Sequence, residues 1–227
     1  MDAQPDDTFT GDPAWRVVRT LRDGASITIR PISPDDRDEL RREFLRTSPQ
    51  TRYLRFLGVV GDLSDELLTY LTCVDQHNHI ALVATMTSPD LKTEHGVAVG
   101  RVIRLPGEPD VAEAAITVAD DAQRRGVGSA LARELERAAR AKGIRHIRAD
   151  VLARNAAMRT ILESAGAKPV ADSGDGGETL SYDITLEPRQ ASSTLLDVLR
   201  GAAQTMALSF RRLVPPERRE QRSSAKS

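Results

Sequence analysis

One cysteine, one tryptophan and an aromatic share of 4% leave this 227-residue chain short of several common stabilising devices. Cys73 has no second cysteine to join, which excludes an internal disulfide and with it a small disulfide-stapled scaffold. No apolar run approaches the roughly 20 residues that cross a bilayer, so a membrane-spanning helix is excluded. A surplus of charge is lacking too: 32 Lys+Arg against 33 Asp+Glu give a formal net charge of −1. No global field therefore favours nucleic acid or an anionic membrane, and any electrostatic recognition must be local. The acidic start from Asp2 to Asp7 has neither the basic nor the apolar part of a secretory signal, and the expected location is the cytoplasm. What remains is ample: hydrophobic residues at 40% suffice for the core of one ordinary domain with appendages.

Punctuation along the chain divides it in three. Residues 1–14, with Pro5, Gly11, Pro13 and several aspartates, read as a flexible N-terminal arm. Residues 15–187 carry the periodic patterns of a folded domain. A turn at Asp23-Gly24 leads into an alternating strand at Ser26–Arg30, and Ser33-Pro34-Asp35-Asp36 supplies a cap, a first-turn proline and two acids for a helix. Ser48-Pro49 restarts a helix through Phe56, and Ser64-Asp65-Glu66 caps another reaching about Cys73. Three β-rich runs at 79–86, 97–105 and 111–118, parted by Pro and Gly loops, predict an antiparallel meander. Leu131, Leu135 and Ala138 then recur at helical spacing before a strand near 146–151, a strand-helix-strand crossover that requires parallel neighbours. A helix from about Asn155 to Ser164, a short strand at 168–171, a glycine-rich turn at 173–177 and an alternating strand at 179–186 close the domain. Residues 188–227 place Leu195, Leu199, Ala202, Met206, Phe210 and Leu213 on one helical face ahead of a basic end, the pattern of a helix that docks on its own domain or on a second subunit.

The chemistry concentrates between residues 111 and 131. Glu113 is the one acid in an otherwise apolar strand run, a position that suits either a structural oddity or a catalyst. Downstream, Gln123-Arg124-Arg125-Gly126-Val127-Gly128 joins that strand to a long helix. Gly126 and Gly128 remove Cβ atoms at the turn, so that successive N–H groups converge on an anion at the positive end of the helix. Two nucleotide motifs fail here. A Walker loop needs Gly-Lys-Ser/Thr, and a dinucleotide fingerprint needs a third glycine where Leu131 stands. His77 and His79 supply only part of a tetrahedral ligand set, and no metal is expected. Cys73, between apolar neighbours, reads as packing rather than as a nucleophile.

The strand order, the Glu113 run and the Gln-Arg-Arg-Gly-Val-Gly turn together resemble the GNAT superfamily of acyl-CoA-dependent N-acyltransferases, from about Leu21 to Leu186. Within it, Leu21-Arg22-Asp23-Gly24, Ile29-Arg30-Pro31-Ile32, Ser48-Pro49-Gln50-Thr51-Arg52-Tyr53-Leu54-Arg55-Phe56 and Ile80-Ala81-Leu82-Val83-Ala84 are similar to the bacterial protein lysine acetyltransferase branch. The resemblance implies a mixed α/β fold: a central, mostly antiparallel twisted sheet of six to seven strands with one parallel pair, flanked by helices. It implies acetyl-CoA as co-substrate and no metal. The backbone of Ala115, Ile116, Thr117 and Val118 would lie beside the pantetheine arm. The amides of Gln123, Arg124, Arg125, Gly126, Val127, Gly128 and Ser129 would hold the diphosphate, with Arg124 and Arg125 adding charge. Asn155 matches a residue that hydrogen-bonds coenzyme A in the family, or serves only as an N-cap. Glu113 matches the general base of the branch. Many relatives carry a tyrosine seven residues after the Asn, to protonate the departing thiolate; here that place is Leu162. The acceptor implied is a lysine of a protein such as an acyl-CoA synthetase, reached by direct attack in a ternary complex. A small amine is the rival acceptor, and a non-catalytic acyl-CoA-binding regulator is the rival class. Glu108, Asp110 and Asp75 are candidates to attract a cationic acceptor, and the C-terminal helix is a candidate for oligomer contacts.

Overall fold

Alternation of buried and exposed residues organises the chain around a single sheet. In the computed structural model, which describes residues 8–46, 63–87, 94–153, 156–164, 166–170 and 179–186, eight strands pair in the order β1-β2-β3-β4-β5-β6-β8-β7. They are β1 Val17–Thr20, β2 Ser26–Pro31, β3 His79–Thr87, β4 Glu94–Leu105, β5 Glu108–Val118, β6 His146–Leu152, β7 Lys168–Val170 and β8 Thr179–Thr185. Every neighbouring pair is antiparallel except β5 and β6, which run parallel as the crossover requires. The meander expected over residues 79–118 is therefore present, with one strand more than the sequence reading gave. That strand, β1, pairs Val17 with Ile29 and Thr20 with Ser26 across the Asp23-Gly24 turn. Its alternation is hard to see because it has four residues, Val18 is 58% exposed, and Arg19 is bound to Glu134. The helix expected from Ser48, the turn at 173–177 and the whole of 188–227 lie outside the described residues.

Local capping sets where the helices begin. The Ser33 N–H donates to Asp36 Oδ2 at 2.7 Å, opening a 3-10 turn at Pro34–Asp36 that continues into α1, Arg37–Arg46. Asp36 also receives both Arg30 guanidinium nitrogens, at 2.8 and 2.6 Å. Burial alone would raise this carboxyl, but the bonds from Arg30 and Ser33 outweigh it and hold Asp36 below its ordinary value. Helix α2, Asp65–Thr72, is capped by Ser64 Oγ, which accepts from the Leu67 N–H at 3.3 Å. Helix α3, Val127–Ala141, buries Val127, Leu131, Leu135 and Ala138, and α4 spans Ala156–Ser164.

Strand register assigns these helices to opposite faces. Gly100, Ile116 and Val118 turn toward α3: a Cβ on Gly100 would stand 3.1 Å from Leu135 Cδ2 and 3.3 Å from Leu131 Cγ, so glycine lets the helix lie close on the sheet. Tyr182 donates to Glu163 Oε1 at 3.1 Å, bringing α4 to the same side as Ala149, its partner on β6. On the other face, Arg101 Nη1 donates to the Leu71 carbonyl of α2 at 2.7 Å, and Glu39 of α1 accepts from the Gly96 N–H. Packing on the α3 face dominates the core, since Ile27, Ile29, Ile80, Leu82, Leu131, Leu135 and Leu162 are all fully buried within one cluster.

The segment read as an arm is anchored where it is described. Phe9 is 3% exposed within that same core, edge-on to Trp15 at 5.1 Å. Lys142 Nζ stands 5.6 Å from the Phe9 ring centroid and donates to the Thr10 carbonyl at 2.8 Å. One aromatic among few apolar neighbours was enough to dock a polar stretch. Phe9→Ala should accordingly lower stability by about 3–5 kcal/mol in urea unfolding, as core Phe truncations do. A change under about 0.5 kcal/mol would mean that the segment contributes nothing to the fold.

Candidate functional site

The parallel pair opens into a slot. β5 and β6 are in register only at Val111–His146, Ala112–Ile147 and Glu113–Arg148, although β5 continues to Val118 and β6 to Leu152. Burial changes at the same point: residues 111–114 are buried, whereas Ala115, Ile116, Thr117 and Val118 are half-buried. Their other edge stays paired with β4 as far as Val118–Ala98. The edge facing β6 thus offers backbone N–H and C=O groups to an extended ligand, with Glu113 and Arg148 at the apex.

At the far end of β5 the chain turns through a 3-10 segment, Asp120–Ala122, into α3. Gln123 braces this turn, its Nε2 donating to Asp120 Oδ1 at 2.8 Å and to the Val118 carbonyl at 3.4 Å. Arg124 has φ +62° and Gly126 has φ +97°, two left-handed residues flanking Arg125. A non-glycine residue held there stores strain of about 1–3 kcal/mol, a cost found mostly at functional positions. Gly126 is the N-cap of α3, no side chain caps it, and the first turn carries no acid. The N–H groups of Val127, Gly128 and Ser129 therefore face the helix end as donors, with the positive end of the helix behind them. A Cβ on Gly128 would approach Val118 Cγ2 to 3.2 Å, so glycine here keeps helix and strand close.

The two adjacent arginines have different duties. Arg125 Nε donates to Asp23 Oδ2 at 2.7 Å, and its Nη1 reaches Met86 Sδ at 3.7 Å, tying the turn to the β1–β2 hairpin. That hydrogen bond holds the Asp23 carboxyl below its ordinary value. Arg124 is exposed.

Glu113 faces away from α3. Its register partners, Ile103 on β4 and Arg148 on β6, share its face, and Ile103 in turn pairs with His79 on β3. Glu113 is 8% exposed, so it does not simply point into solvent. Arg148 donates to Glu108 Oε1 at 2.6 Å and to both Asp183 oxygens at 2.8 and 2.9 Å. The Asp183 bond, aided by Glu108, raises the Arg148 pKa above its already high ordinary value. Two residues along β6, Asp150 Oδ1 accepts from Ser181 Oγ at 2.7 Å. Arg101, flanked in register by Ala81 and Ala115, is 6% exposed; its Nη1 reaches Leu71 O and, at 3.3 Å, His79 Nε2. Burial brings Arg101 down to about 10, which leaves it charged at neutral pH. Burial, with Arg101 alongside, drives His79 down to about 3, so the imidazole is neutral and accepts from the guanidinium.

Several sequence expectations are sorted by these contacts. Asp75 caps its own loop, accepting the N–H groups of His77, Asn78 and His79 at 2.9, 2.8 and 2.9 Å, and Glu108 is bound to Arg148. Neither is disposed to attract an acceptor. Leu162 is fully buried in the main core and offers no proton. Asn155 lies outside the described residues. Arg101, Arg148 and Asp150 were not singled out by sequence, although His146, Arg148 and Asp150 alternate with Ile147, Ala149 and Val151 in a readable strand pattern. No helix of the described residues is long and apolar enough to cross a membrane.

Comparison with known proteins places the chain in a family. Residues 26–168 match the model of the acetyltransferase (GNAT) domain family. The chain is 32% identical over 163 residues to Acetyltransferase PA5475 of Pseudomonas aeruginosa, covering 72% of this chain and 86% of that protein. It is 35% identical over 147 residues to Acetyltransferase Pat of Mycolicibacterium smegmatis, covering 65% of this chain but only 43% of that protein. Among solved structures, the GNAT domain of S. lividans PAT superposes with a TM-score of 0.61 at 31% identity, over 77% of this chain and 99% of that one. An uncapped, glycine-opened helix end beside a splayed parallel pair is an arrangement that fits acetyl-CoA. The chain belongs to the GNAT superfamily of acetyl-CoA-dependent N-acetyltransferases, within the branch that contains the Pat enzymes.

Proposed function

We propose that this protein acetylates lysine side chains of a protein substrate, an acyl-CoA synthetase being the first candidate, by direct attack in a ternary complex with Glu113 as general base. The observation that carries the reading is the place of Glu113: buried at the apex of the slot, on the sheet face opposite α3. The similarity to Pat and to the S. lividans PAT domain supports the protein substrate. Location in the cytoplasm, where such substrates reside, accompanies this reading.

The donor side follows from the turn. The N–H groups from Gln123 to Ser129 would hold the diphosphate, Arg124 would add charge from outside, and Arg125 would act by fixing the turn to Asp23. The pantetheine arm would run along the open edge of Ala115–Val118, and the family resemblance adds Asn155 as a further contact. On the acceptor side, a lysine ammonium with an ordinary pKa near 10.4 has no lone pair and must lose a proton before attack. Glu113 takes that proton, directly or through a water, the amine nitrogen bonds to the thioester carbonyl carbon, and the C–S bond breaks. The sulfur recovers a proton from water or from the attacking nitrogen, since Leu162 supplies none.

Three outcomes test the proposal. With acetyl-CoA and a panel of purified acyl-CoA synthetases, mass spectrometry should find lysine acetylation; none, beside rapid turnover of a free amine, would sink the protein substrate. Glu113→Gln should cut kcat by about 10²- to 10⁴-fold and remove the acidic limb of the rate profile while calorimetric acetyl-CoA binding stays unchanged. A wild-type rate across pH would refute the base assignment. Gly126→Val, which forces a β-branched residue to φ +97°, should weaken acetyl-CoA binding about tenfold or more with acceptor KM unaltered. Unaltered donor affinity would remove the turn from the donor site.

A further inference from the structure

We propose that Asp150 is the acceptor-binding carboxylate, the group that receives the incoming ammonium before Glu113 removes its proton. The register is the starting point. Glu113 pairs with Arg148, so two residues further along each strand Ala115 and Asp150 stand across the slot from one another, on the same sheet face as Glu113. Asp150 is therefore the diagonal neighbour of Glu113 over the opening where the thioester would lie.

The surface around it is built for a polar visitor. On β6 and β8 the face shared with Glu113 carries His146, Arg148, Asp150, Ser181, Asp183 and Thr185, whereas the opposite face is apolar and packs beneath α4. Three other acids are engaged: Glu108 and Asp183 bind Arg148, and Asp75 binds its own loop. Asp150 Oδ1 holds the Ser181 hydroxyl at 2.7 Å, and among the described residues Oδ2 has no hydrogen bond. The Ser181 bond fixes the carboxylate's orientation and leaves one oxygen for a charge-assisted bond to a primary ammonium. Half-buried as it is, Asp150 is better shielded from water than an exposed acid, which strengthens its attraction for a cation. Asp150 takes no proton in this scheme: the first proton of the ammonium goes to Glu113, and the second leaves the nitrogen as the C–S bond breaks.

The inference rests on the amine-acetylating reading above, and it fails separately from it. Steady-state kinetics should be run on whichever amine, peptide or free, the wild-type protein turns over best. Asp150→Asn keeps an acceptor oxygen for Ser181 and replaces the free carboxylate oxygen with an uncharged NH2 donor. It should raise acceptor KM about 10- to 100-fold, with acetyl-CoA KM unchanged and kcat within about twofold. Asp150→Glu should recover most of the lost affinity, and Ser181→Ala, which keeps the carboxylate, should shift acceptor KM far less. A normal acceptor KM in Asp150→Asn would overturn the assignment, as would a fall in kcat at constant KM or equal impairment in the Asn and Glu variants. Loss of Glu113 instead acts on kcat and its pH profile, so each carboxylate has its own readout.

Discussion

The parting of β5 from β6 is the constraint on which the rest depends, and Arg148 fixes where it occurs. Its guanidinium reaches Glu108 at the start of β5 and Asp183 on β8. This clamp holds three strands together at the closed end of the slot, where Val111, Ala112 and Glu113 are still in register with β6. Beyond it the strands diverge, which a parallel pair with evenly spaced hydrogen bonds does only at the cost of leaving backbone groups unpaired. An extended donor whose own amides run along the strand would satisfy those groups. The slot is thus a deliberate break in a ladder, and the clamp prevents it from propagating into the core.

The two faces of the sheet divide the chemistry between them. On one, α3 lies close because Gly100 and Gly128 remove side-chain bulk, and its bare N-terminus presents positive partial charge at the end of the slot. On the other, polar residues of β6 and β8 surround the opening, with Glu113 and Asp150 both turned toward it. On the proposed reading, a polyanionic donor and a cationic acceptor would approach from opposite sides and meet where the strands separate. Net charge near zero is consistent with this, since attraction of each sign is confined to its own side.

Local signals carried much of this plan. Proline, glycine and cap residues marked the helix starts at Pro34, Asp65 and Val127, and the requirement for a parallel crossover followed from strand-helix-strand order. Glu113 stood out because a charged residue interrupts an apolar alternation. What escaped was set by partners distant in sequence. Phe9 is buried through Trp15 and Lys142, and β1 exists only as the outer partner of β2. Asp75 and Glu108 look like available acids until their bonds are traced. The buried Arg101 is intelligible only once Ala81 and Ala115 are known to flank it, leaving space for a guanidinium to lie across the sheet and hold the end of α2.

Adjacent identical residues give the sharpest case. Arg124 and Arg125 are equivalent by composition and by distance from the turn glycines, yet the backbone separates them. At φ +62° Arg124 reverses the local direction of the chain, so it is exposed while Arg125 binds Asp23 and Met86. The strain at Arg124 is offset by the Arg125 anchor one residue on, and by Gln123, which braces the preceding turn against Val118. A cation tied to Asp23 has most of its charge compensated and contributes rigidity; a cation held outward keeps its charge uncompensated and, on the proposed reading, would meet an anion at the helix end. The turn needs both, because convergent N–H groups discriminate for an anion only if the loop presenting them is already fixed before the anion arrives.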